Sequence, residues 1–137
     1  MGAPHEHGSH PAHDAAASRA ERLRGRLSEE RERARRREAT LTTQLADIIA
    51  STVDANTDDE HDPEGATIAF ERAQVTELLR TTRLRLTELE AAAGRLERGT
   101  YGVCSCCGRP IPIERLLARP SSDRCVACAS SGVDGPT

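Results

Sequence analysis

The sequence predicts an all-α protein: a long antiparallel coiled-coil hairpin followed by a small C-terminal module built on four cysteines. Three observations carry that expectation. Two stretches repeat apolar residues every three or four positions, a turn-rich acidic segment separates them, and two C-x-x-C pairs follow the second stretch. The chain has little with which to build anything larger. One Phe, one Tyr, no Trp and 36% hydrophobic residues in 137 leave no material for a globular core of ordinary size.

Residues 1–15 contain Gly2, Gly8, Pro4, Pro11 and four of the five histidines with no apolar period, and are expected to form a disordered tail. His5, His7, His10 and His13 have no preset geometry for a metal on such a tail. From Ala16 to about Val53, Leu23, Leu27, Ala34, Leu41, Leu45 and Ile48 fall at spacings of three, four and seven, which predicts a long amphipathic helix. Ile68, Val75, Leu79, Leu86, Leu89, Ala93 and Leu96 occupy successive a and d places of a second helix, Glu64 to Arg98, with Arg72 and Thr82 as polar members of the stripe. Neither seam can be buried alone, so the helices pair within 16–98. Asn56, Pro63 and Gly65 favour a turn, which makes 54–65 the tip of the hairpin. At 1.5 Å per residue the second helix spans roughly 50 Å, so the tip lies far from the cysteines.

Charge is unevenly spread along the chain. Asp54, Asp58, Asp59, Glu60, Asp62 and Glu64 place six carboxylates in eleven residues, and the remainder is close to balanced, 16 acids against 19 bases. Every one of those bases is Arg. Near-balance gives no electrostatic case for general nucleic-acid binding, and sequence-specific DNA contact is not expected. Arg31, Arg33, Arg35, Arg36 and Arg37 alternate with Glu29, Glu30, Glu32 and Glu38, which reads as a solvated helix face with local ion pairs.

Cys104, Cys107, Cys125 and Cys128 form two C-x-x-C pairs separated by 17 residues, the spacing of a four-thiolate zinc site in a finger covering 99–130. Gly108 supplies the positive φ that a tight knuckle needs. Four protein ligands leave no place for a water, so one zinc ion would organise the fold and perform no chemistry. No glycine-rich phosphate loop, G-x-S-x-G elbow or H-E-x-x-H helix occurs, and the chain is not expected to be an enzyme. Cys106, between two ligands, is a candidate redox thiol, with a passive surface thiol as the plainer reading. Residues 131–137 are too few and too rich in Gly and Pro for another domain, and read as a disordered tail.

The run Gly99-Thr100-Tyr101-Gly102-Val103-Cys104, with Cys107-Gly108, then Pro110-Ile111-Pro112-Ile113-Glu114-Arg115-Leu116, Ala118-Arg119-Pro120, and Cys125 with Cys128, closely resembles the DksA/TraR family of C4-type zinc-finger transcription regulators. The resemblance implies a bacterial regulator that binds RNA polymerase directly. Its hairpin would enter the secondary channel, and an acidic coiled-coil tip would modulate initiation. The tip residues it points to are Asp59, Asp62, Glu64 and Ala66. The family's Asp-x-x-Asp-x-Ala pattern is met here by Asp59-Glu60-His61-Asp62 with Ala66 two residues late, or, counted back from the cysteines, by Glu64-Gly65-Ala66 on its last three places. Arg119 is retained as a candidate nucleotide or polymerase contact. Glu88 and Ala129 stand where basic partners for ppGpp would be expected, so cooperation with ppGpp is expected to be weak or absent.

The alternative reading is a zinc-finger coiled-coil module that binds nucleic acid or another protein. No apolar run approaches the roughly 18 residues needed to span a bilayer, and the first residues lack a signal-peptide profile. A cytoplasmic, reducing location and no membrane partner are expected, and the family resemblance implies a monomer.

Overall fold

A computed structural model describes Gly2, residues 11–55 and residues 63–131. Those residues form four helices in the order α1 (Pro11–Ala55), α2 (Pro63–Arg98), α3 (Ile113–Ala118) and α4 (Val126–Ser131). No strand occurs among the described residues, only an isolated antiparallel bridge between Val103 and Pro110. No helix among them is long and apolar enough to cross a membrane.

α1 starts at Pro11, five residues before the expected Ala16, so the tail predicted for 1–15 is corrected at its last five residues. The local chemistry explains the early start. Proline at the first helical position loses no intrahelical bond, Asp14 lies in the first turn where the helix dipole favours a carboxylate, and Ala15 to Ala17 have the highest helix propensity. Pro63 opens α2 in the same way. Residues 56–62, with Asp59 and Asp62, lie outside the described residues, as do 132–137.

α1 and α2 run antiparallel, since α1 residues of rising number meet α2 residues of falling number. Leu27 and Ala34 pack with Leu89 and Ala92, and Leu41 packs with Val75 and Leu79. Full burial of Leu27 or Leu89 contributes about 1.5–3 kcal/mol each. On α2 the stripe departs from its expected members at two places. Ala92 is fully buried within the cluster of Leu27, Ala34 and Leu89, whereas Ala93 is only partly buried against it, as is Tyr101. Arg72 is exposed, whereas Thr82 is buried with its hydroxyl satisfied by the Leu78 carbonyl at 2.8 Å. Among the described residues, three ion pairs cross the seam: Arg85 with Glu30, Arg83 with Glu38 and Arg35 with Glu90.

The arginine and glutamate run of α1 is solvated at Arg33, Arg35 and Arg36, but Glu30 is a correction: it is 6% exposed and lies within the seam. It follows Leu27 by three residues and precedes Ala34 by four, which is core spacing.

The coil ends where α2 meets Gly99 (φ 76°), the left-handed residue that stops a helix, with Thr100 N–H returning to Arg95 O at 2.9 Å. The finger then folds back onto α1. Leu23 packs with Cys104, Ile111 and Leu116. Around that apolar contact Arg19 donates to Ile111 O (3.4 Å), Arg26 to Leu117 O (2.9 Å) and Arg95 to Ser121 O (3.4 Å).

Candidate metal centre

The first knuckle is a tight turn set on a short hairpin. Cys104 N–H donates to Arg109 O, Ile111 N–H donates to Gly102 O, each at 2.8 Å, and Gly108 N–H closes the turn on Cys104 O at 3.0 Å. Gly108 has φ 73°, as the knuckle requires. The second knuckle uses a helix start: Cys125 precedes α4, and Ala129 N–H bonds Cys125 O at 2.9 Å, which brings Cys128 back toward Cys125.

These two turns gather the four predicted ligands. The Sγ atoms of Cys104, Cys107, Cys125 and Cys128 all lie within 4.8 Å of one another, and Cys107 and Cys125 sulfurs are 3.8 Å apart. A zinc–sulfur bond of about 2.3 Å in a tetrahedron requires sulfur–sulfur edges of about 3.8 Å. The residues therefore fit the ion. Cys104 is buried, and its thiol is pulled down to about 6, first by the Cys107 backbone N–H and then by that of Cys125. Cys128 is pushed up, chiefly by the sulfur of Cys125. Four sulfurs this close resist joint ionisation unless a cation sits among them, which is the chemistry a divalent ion supplies. Cys106 is half-buried against the finger core and is not among the gathered four.

Tyr101 fastens the finger from inside. Its ring contacts both the finger core and the coil seam, its hydroxyl donates to Pro120 O at 2.8 Å, and burial pushes its ionisation up.

Of the remaining candidates, Glu64, Ala66 and Arg119 are not brought to the cysteines. Glu64 stands exposed in the first turn of α2, where its charge suits the helix N-terminus, and Ala66 is exposed one turn on. The 36 residues of α2 put roughly 54 Å between that end and the finger. Arg119 caps α3 and lines an open cleft of about 700 Å³ whose other wall is α2, with Arg85, Glu88 and Arg95. Glu88 and Asp123 set two carboxylates among the three arginines there. Glu88 thus stands in the same cleft as Arg119, where the sequence placed an acid in place of a base.

Sequence reasoning missed Glu30 and the arginine-to-carbonyl contacts of the joint. Glu30 had a signal, its three-and-four spacing from Leu27 and Ala34. The carbonyl contacts had none, because any exposed arginine offers the same donors.

Residues 99–131 match the family model described as the prokaryotic dksA/traR C4-type zinc finger. The chain is 42% identical over 43 residues to the RNA polymerase-binding transcription factor DksA of Haemophilus influenzae, covering 31% of this chain and 30% of that protein. It is 35% identical over 75 residues to the uncharacterized protein YteA of Bacillus subtilis, covering 55% and 31%. The matched part thus spans about 30% of the length of these curated relatives. Among solved structures, transcription factor DksA2 from Pseudomonas aeruginosa superposes with TM-score 0.50 at 24% identity, over 78% of this chain and 82% of that one, a likeness of fold. The four gathered cysteines and the C4 finger match together support a structural zinc ion, which Cys104, Cys107, Cys125 and Cys128 would hold.

Proposed function

We propose that this chain, whose residues 99–131 match the prokaryotic dksA/traR C4-type zinc finger, is a bacterial transcription regulator that binds RNA polymerase through the secondary channel. The observation that carries the proposal is the pairing of this finger with two long antiparallel helices, between which the sequence carries six carboxylates from Asp54 to Glu64. A rod about 10–12 Å across per helix and roughly 54 Å long suits insertion into a channel.

In this reading zinc only folds the base. The working groups are the tip residues Asp59, Asp62 and Glu64, followed in sequence by Ala66. Carboxylates delivered near a magnesium-dependent centre compete for its cations or repel its phosphates, and so alter the stability of the promoter complex. Arg119 is a contact for the polymerase, and Glu88 in its cleft disfavours a highly charged guanosine nucleotide, so regulation proceeds with little help from ppGpp. The protein acts as a cytoplasmic monomer.

Co-purification of tagged protein with core RNA polymerase tests the partner. Retention of polymerase at moderate salt is expected. Failure to retain it, with salt-sensitive binding to a bare duplex, would favour the alternative nucleic-acid module.

A further inference from the structure

Glu30 is a charged residue in an apolar seam, and its contacts reach further than the coil. Its Oε1 accepts from Arg26 (2.7 Å) and Arg33 (2.8 Å) on α1, and its Oε2 accepts from Arg85 on α2 (2.9 Å). Arg26 is a fork: one nitrogen is held by Glu30 while its Nε donates to Leu117 O in α3 at 2.9 Å. Exposed Glu29 touches the same guanidinium more loosely, at 3.6 Å. One buried carboxylate thus connects both coil helices and the finger through two guanidiniums.

Coil stability alone gives little reason for this residue. Removing an ionised carboxylate from water is costly, and a well-packed apolar side chain in its place is often as stable or more so. Leucine at this position would continue the Leu23, Leu27, Ala34 stripe. What leucine lacks is an acceptor for Arg26. An arginine side chain loses much rotamer freedom when fixed, and a single neutral carbonyl is a weak anchor for it; a charged acceptor on its second edge holds the fork in place.

The consequence falls on the cleft between α2 and the finger. Leu117, bound by Arg26, immediately precedes the finger wall that begins at Ala118 and Arg119. Arg85, bound by Glu30, belongs to the opposite wall. We infer that Glu30 is a positioning residue: acting through Arg26 and Arg85, it sets the orientation of the zinc finger on the hairpin and the spacing of the cleft walls. This inference stands apart from the identity of the partner, because every contact it uses lies within the chain.

Amide hydrogen exchange on the full-length, zinc-loaded protein tests it. The reporting amides are those of Leu116, Arg119 and Ser122, which bond the carbonyls of Pro112, Arg115 and Arg119. Glu30→Leu is expected to speed their exchange by roughly fivefold or more, with the coil amides near Leu41 and Leu79 unchanged and zinc content still one. Glu30→Gln keeps one neutral carbonyl but loses the charge and sets an NH2 donor against an arginine N–H, so it is expected to speed the same amides, by less than Glu30→Leu does. Arg26→Lys, at the exposed edge, keeps the charge and loses the fork; it is expected to match Glu30→Leu. Unchanged finger amides in both Glu30→Leu and Arg26→Lys, or equal acceleration of coil and finger, would overturn the inference.

Discussion

Cys125 donates its backbone N–H to the sulfur of Cys104 at 3.3 Å, so the second knuckle is hydrogen-bonded to the first through a ligand of the metal centre. Amide hydrogen bonds to a thiolate are charge-assisted and hold its negative form. Cys104 is also the most buried of the four and packs with Ile111, Leu116 and Leu23 of α1. Metal, finger core and the start of the hairpin therefore form one cooperative unit, while the far coil has its own seam.

That division predicts the result of metal removal. Cys107→Ser or Cys125→Ser, or strong chelation, should release zinc and disorder the finger. The two finger helices hold six residues each, against 45 and 36 in the coil, so circular dichroism should keep most of its helical signal. Collapse of the helical signal with zinc loss would show that the coil depends on the metal.

Tyr101 separates packing from hydrogen bonding. Tyr101→Phe leaves the ring between its two clusters and strands the Pro120 carbonyl, a loss of about 1 kcal/mol. Tyr101→Ala removes the ring as well and should cost about 3–5 kcal/mol. Urea unfolding of the zinc-loaded protein, followed by a finger probe, measures both.

Within the coil, two leucines on α2 should behave oppositely. Leu89 is fully buried and Leu84 is 52% exposed. Leu89→Ala should cost about 2–5 kcal/mol of coil stability, and Leu84→Ala no more than about 0.5 kcal/mol. Thermal melting of the two variants decides the assignment of the seam.

Acid should weaken the joint in a defined direction. Hydrogen bonding from Arg85, outweighing desolvation, holds Glu30 below its ordinary 4.5. A carboxylate with a depressed folded value contributes stability above the unfolded value, and that stability is lost as pH falls through the folded one. The stability difference between the native chain and Glu30→Gln should therefore be constant above about pH 5 and shrink below about pH 4.5. A difference that grows on acidification would contradict the carboxylate's role.

Much of this fold is readable in the sequence because its two constraints are periodic or chemical. Leu27, Leu41, Val75, Leu79 and Leu89 betray the seam by spacing, and the four cysteines betray the metal centre by theirs. What was misread is where local pattern loses to tertiary context. Glu30 looked like one more member of a solvated charge run, yet its angular position on α1 put it under α2. Ala92, three residues after Leu89, is the fully buried member, and Ala93 packs against the same cluster only partly buried. The early start of α1 was legible in Pro11 and Asp14, once the prolines were weighed as helix starters and not as breakers.

The tip carries a separate prediction. A variant combining Asp59→Asn, Asp62→Asn and Glu64→Gln should bind polymerase with unchanged affinity and lose its effect on initiation in a purified transcription assay. Normal regulation by that variant would remove the carboxylates from the mechanism.

The most direct measurement is competition for the secondary channel of core RNA polymerase against a labelled factor known to occupy it. Concentration-dependent displacement is expected from the native chain and equally from the tip variant, with zinc-depleted Cys107→Ser displacing poorly. A native, zinc-loaded chain that binds polymerase without displacing the channel factor, or does not bind it at all, would contradict the proposed mode of action.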